Sequence, residues 1–127
     1  MVARLRQFDG EVYVPNHGYL ASMAGRKPYA HWMAVIDALR SNQPQAATRL
    51  WSEIDAALAR QKFAAVVLDA GDQLNHTAFP NTYARLGTLF GDSTVFETRS
   101  GTPTRPRHLF VPALAERRAE PAQHPPR

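Results

Sequence analysis

The spacing of apolar positions changes several times along this chain, and each change predicts an element. Glu11 to Val14 is short, β-branched and aromatic, and it stops at Pro15, as a strand does where it enters a loop. That loop is expected to run to about Pro28. From Tyr29 the apolar residues Trp32, Val35, Ile36 and Leu39 fall at i, i+3, i+4 and i+7, which is one face of a helix. Ser41, Asn42 and Pro44 end that helix and start the next. Ala47, Leu50, Trp51, Ile54, Ala57 and Leu58 repeat the stripe over several turns, with Arg49, Glu53, Arg60 and Gln61 elsewhere on the surface. This is the longest predicted helix.

The run "FAAVVLDA" is apolar without alternation, the pattern of a strand covered on both faces, and it predicts a central parallel strand at Ala64 to Asp69. Asp69 to Pro80 is polar and reads as a loop at the carboxyl end of that strand. A third helix is expected from Asn81 to Phe90, with Tyr83, Leu86 and Phe90 inward and Gly91 closing it. "STVFETRS" and "RHLFVP" then read as two β segments joined by a Gly/Pro turn. Strands separated by helical crossovers imply a small Rossmann-like α/β three-layer sandwich. Its sheet is expected to be mostly parallel, with the last pair available as an antiparallel edge. The expected organisation is an N-terminal extension at 1–10, a single α/β domain at 11–114, and a disordered proline- and charge-rich tail at 115–127.

At 127 residues, with 44% hydrophobic and 20% charged, the chain fits one globular domain and neither a disordered segment nor a membrane bundle. The apolar run from Phe63 to Leu68 falls far short of the ~20 residues that cross a bilayer. "MVARLRQFDG" has basic residues without the apolar core of a signal peptide, so an export signal is not expected in the chain as written. It either stays inside the cell or belongs to something larger. There is no cysteine, which removes disulfides and thiolate chemistry. A net charge of +4 suits an anionic partner, but the arginines are scattered and not interleaved with aromatics, so nucleic acid is not the expected one. The densest basic stretch, "TRSGTPTRPRH", reads as a connection between strands.

In open α/β sheets ligands sit beyond the carboxyl ends of the strands. That rule brings the loops Asn16 to Pro28 and Asp69 to Pro80 to one edge, with His17, Tyr19, Arg26, Lys27, Asp69, Asp72 and His76 as candidate ligand-binding residues. Neither GxGxxG nor GxxxxGK[ST] is present, although "AGRKP" ahead of a helix offers Arg26 and Lys27 to an anion. His17, His31, Asp69, Asp72 and His76 are acceptable metal ligands without the close spacing of an HExxH-type site, so no metal or cofactor is expected. Asp69 and Asp72 are close enough in sequence for a carboxylate pair, though an Asp after a central strand more often caps a helix or bonds a loop. Ser22, Ser93 and Ser100 lack a nucleophile elbow, and no catalytic residue is assigned. Trp32 and Trp51 read as core, and His31 as a helix cap or surface residue.

With "VYVPNHGYLASMAGRKPYAHWMAVIDALR", "LWSEIDAALARQKFAAVVLD", "YARLGTLFG" and "TRPRHLFVP", the chain resembles the soluble C-terminal domain of polytopic bacterial glycosyltransferases of the dolichyl-phosphate-mannose-protein mannosyltransferase class. The resemblance covers Glu11 to Pro112. It implies a multi-helix membrane body as partner, a polyprenyl-phosphate sugar donor, and a domain facing the periplasm or extracellular side. The family's catalytic carboxylates lie in a loop of the membrane body, and no position here corresponds to them. The resemblance thus implies a non-catalytic piece of a transferase that assists donor or acceptor handling. The alternatives are a free-standing cytoplasmic Rossmann-like module that binds a nucleotide or sugar phosphate, and a protein interaction module.

Overall fold

A computed structural model describes residues 1–69, 76, 79–90 and 105–113 of the chain. In chain order these form α1 (Val2–Arg6), β1 (Glu11–Tyr13), α2 (Gly18–Met23), α3 (Trp32–Leu39), α4 (Gln45–Ala59), β2 (Phe63–Asp69), α5 (Phe79–Thr82), β3 (Tyr83–Thr88) and β4 (Pro106–Pro112). The four strands make one open sheet in the order β1-β2-β4-β3. β1 and β2 run parallel, while β2 with β4 and β3 with β4 run antiparallel. The fold is therefore mixed α/β, and its sheet is mostly antiparallel where a mostly parallel one was expected.

The difference traces to one segment. Tyr83, Leu86 and Phe90 have helical spacing, yet the chain forms only a short turn of helix at α5 and then enters β3. Gly87 adopts φ +152°, which no helix contains, at an irregularity in the β3–β4 register between Arg85 and Gly87. Leu86 stays 47% exposed, so the apolar stripe on which the helix rested is not a buried stripe. Pairing with β4 satisfies the backbone of this segment and outweighs its local spacing.

A second expectation is also revised. The segment after β1 is not a plain loop to Pro28, because Gly18–Met23 form α2. Leu20, Ala21 and Ala24 bury one side of this short helix, and six residues give too few repeats for a periodicity reading. Its end is a Schellman closure: Arg26 N–H donates to Ala21 O and Gly25 N–H to Ser22 O, with Gly25 left-handed at φ +74°. The strand expected at "STVFETRS" and the disordered tail lie outside the described residues.

β2 behaves as its uninterrupted apolar run requires, sending alternate side chains to two separate cores. On one side Ala65 and Val67 join Val12, Val14, Leu109 and the inner residues of α1 and α2, Leu5 and Leu20 among them. On the other side Val66 and Leu68 join Tyr13, Phe79, Tyr83 and the α4 residues Ile54, Ala57 and Leu58. Helices thus cover both faces of the sheet. Each fully buried aliphatic or aromatic side chain contributes about 1.5–3 kcal/mol through removal from water. Residues 1–10, expected as an extension, include α1, whose Leu5 is wholly buried.

Candidate functional site

The parallel pair β1 and β2 ends at one edge of the sheet, and each strand delivers one polar side chain there. Asp69 is the last residue of β2 and is 3% exposed. His17 stands at the N-cap of α2, three residues after Val14. Its ring makes no capping bond; Nε2 instead lies 2.9 Å from Asp69 Oδ2. A carboxylate only accepts, so Nε2 carries the proton and Nδ1 is left with a lone pair. The His17 side chain keeps 12% of its surface in solvent against 4% for Asp69. The pair is thus a buried carboxylate orienting a histidine that stands between it and solvent.

Local backbone fixes this geometry. Trp32 N–H donates to Pro15 O at 2.9 Å, which draws the start of α3 against the β1–α2 turn. Position 18 is tight for a side chain, because a Cβ on Gly18 would meet Tyr29 O at 3.1 Å, and that backbone would have to give by a few tenths of an ångström. Nearby, Glu11 accepts from Tyr29 Oη and pairs with Lys62 at 3.0 Å, which anchors the Pro28–Tyr29 segment to the start of β1.

Of the other candidates, Tyr19 lies closest to the pair. Its ring meets that of His17 edge-on with centroids 6.1 Å apart, and it is 56% exposed. Arg26 turns elsewhere: its guanidinium donates to the carbonyls of Arg6 and Phe8 and ties α1 to the end of α2. Lys27 is exposed, with Nζ 5.3 Å from the centre of the Tyr29 ring. Asp72 lies outside the described residues.

His76 does not join Asp69. Its Nδ1 donates to Asp55 Oδ1 at 2.8 Å, and its ring stacks on Trp51 with centroids 4.3 Å apart and meets Trp32 edge-on. The side chain is fully buried, and among the described residues Nε2 has no partner. Burial pushes its pKa below the usual histidine value, opposed by Asp55 through its hydrogen bond and its charge. Burial thus favours the neutral form of a ring set between two indoles. Sequence reasoning missed Asp55, whose signal was a carboxylate one turn after Trp51, beside the apolar stripe of α4. His31 caps α3, accepting from Met33 N–H at 3.2 Å.

No group of three or more residues able to hold a metal ion occurs among the described residues. A depression of about 430 Å³ runs along α4 past Ser52, Ala56 and Arg60, and two of its cations are already paired, Arg49 with Glu53 and Lys62 with Glu11. Among the described residues no helix is long and apolar enough to cross a membrane. The His17–Asp69 pair can orient a hydroxyl group by accepting its proton at Nδ1, or hold a phosphate when His17 is protonated. The chain matches no protein-family model, no curated protein and no solved structure.

Proposed function

We propose that this chain is a non-catalytic domain of an integral-membrane glycosyltransferase that uses a polyprenyl-phosphate sugar donor, and that its role is to handle the acceptor or the donor phosphate. The observation that carries this reading is the His17–Asp69 pair at the carboxyl edge of the parallel strands, with Tyr19 beside it. An oriented imidazole at such an edge suits a sugar hydroxyl or a phosphate oxygen. The unit from β1 through α4 to β2 is read as the Rossmann-like half of the fold, and β4 and β3 as its antiparallel continuation. The transferase assignment itself rests on the resemblance of Glu11 to Pro112, which implies an extracytoplasmic domain with the membrane body as its partner.

The test has two parts. An antibody against this domain should detect, in source-cell membranes, a product much larger than 14.2 kDa. A soluble product near that mass sinks the proposal. If the large product is found, His17→Ala and Asp69→Asn in the native gene should lower transfer from the lipid-linked donor while leaving its amount in the membrane unchanged. Unaltered transfer in both variants would remove the edge from the mechanism.

A further inference from the structure

The layer formed by α1 and α2 has an outer side that the core does not use. α2 buries Leu20 and Ala21 against the sheet, and on its free side Tyr19 and Met23 stand one turn apart, 56% and 57% exposed. The two other large exposed apolar residues among the described residues, Met33 and Leu86, stand singly on α3 and β3. Around Tyr19 and Met23 the charge is cationic. Arg6 Nη2 donates to Met23 O at 2.9 Å, and Arg26 donates to the carbonyls of Arg6 and Phe8. A carbonyl partner fixes a guanidinium in place without cancelling its charge. Arg4 is exposed on α1. Of the acidic residues in this stretch, Glu11 is taken by Lys62 and Tyr29, which leaves Asp9 against the three arginines.

An aromatic ring and a thioether standing out of a fixed cationic field match the chemistry of a lipid headgroup layer, where amphipathic rings settle and basic residues meet phosphates. They match other partners less well. A second copy of this chain would bring like charges face to face, and single-stranded nucleic acid calls for a series of stacking rings where this face has one.

We propose that the outer face of α1 and α2 docks on an anionic lipid surface, with Tyr19 and Met23 entering the headgroup layer and Arg4, Arg6 and Arg26 facing the phosphates. Docked in this way, Tyr19 brings the adjacent His17 to the membrane surface, within reach of groups carried on lipid. The inference goes beyond the transferase reading, because the face would engage lipid whether or not a membrane body is attached.

The experiment is co-sedimentation of the purified 127-residue chain with vesicles of phosphatidylcholine alone and of phosphatidylcholine mixed with phosphatidylglycerol. Binding is expected only to the mixed vesicles and should weaken as salt is raised. The double variant Tyr19→Ser with Met23→Ser keeps the net charge and alters only exposed side chains, so circular dichroism should be unchanged while partitioning falls about tenfold. Met33→Ser with Leu86→Ser should bind like the parent chain. The proposal is overturned by failure to bind mixed vesicles, by equal binding of the Tyr19/Met23 variant, which would mean diffuse charge alone, or by equal loss in the Met33/Leu86 variant. It is also overturned if the same two serines abolish self-association or RNA binding and leave vesicle binding intact. Because the vesicles contain no polyprenyl donor and the chain is assayed alone, a failure here leaves the transferase reading to its own test.

Discussion

Gln61 shows how one residue can hold an unfavourable backbone conformation in exchange for a long-range contact. It closes α4 in the left-handed region at φ +52°, with Lys62 N–H donating to Ala57 O and Gln61 N–H to Leu58 O. A side chain in that conformation costs about 1–2 kcal/mol. The amide returns part of this by donating to Thr82 O at 2.7 Å, which ties the end of α4 to the end of α5. Gln61→Ala keeps the backbone cost and loses the bond, so urea denaturation should show a loss of about 1 kcal/mol. Gln61→Gly loses the same bond but relieves the backbone, and should recover most of that loss. His76 makes the second residue-scale prediction. Its folded pKa lies below its unfolded value, so between the two the unfolded chain binds more protons and stability rises with pH. The stabilisation of the neutral ring is complete above the ordinary histidine value of about 6.5 and is lost as pH falls through the lower folded value. His108 is shifted the same way by burial and by Arg85 and Arg107. Denaturation curves across this range should therefore flatten in part for His76→Phe, which keeps a ring against Trp51, and further when His108 is also replaced. A His76→Phe slope equal to the parent's would mean that His76 is not the buried titrating group.

At the scale of elements, position in the sheet orders local stability. Among the described residues β2 and β4 are paired on both sides, whereas β1 and β3 are each paired on one. Amide hydrogen exchange should accordingly be slowest in Val66 to Leu68 and in Leu109 to Val111, and faster along β1 and β3. Equal protection across all four strands would contradict this order. The same elements show what the sequence disclosed. α3, α4 and β2 were legible because each carries enough repeats of a single period to outvote chance, and His17 with Asp69 because the carboxyl-edge rule needs only the strands to be right. α2 was hidden by its shortness, and β3 by a helical spacing that long-range pairing with β4 overrode. Around Arg26 local sequence shows a charge available to an anion but cannot reveal that Arg6 and Phe8 supply carbonyls within its reach. His76 was assigned to the edge for the same reason: its partners Asp55, Trp51 and Trp32 come from two helices far upstream in the chain.

For the whole molecule, the mixed class and the two covered faces of the sheet followed from the uninterrupted apolar run of β2, while strand direction did not, because it depends on segments whose own pattern is ambiguous. The sheet order carries a further consequence for how the protein is made. β4 is the last described strand in the chain, yet it stands between β2 and β3. Among the described strands, the first three emerge with β3 lacking the partner it pairs with and with one flank of β2 bare, and contacts across such long separations form slowly. A message truncated ahead of Pro106 would thus release two naked strand borders at once, each a template for pairing with another unfinished chain. Stalled or nicked products that end ahead of Pro106 should therefore collect in the insoluble fraction, and translation through β4 should act as the step that commits the nascent polypeptide to its own fold.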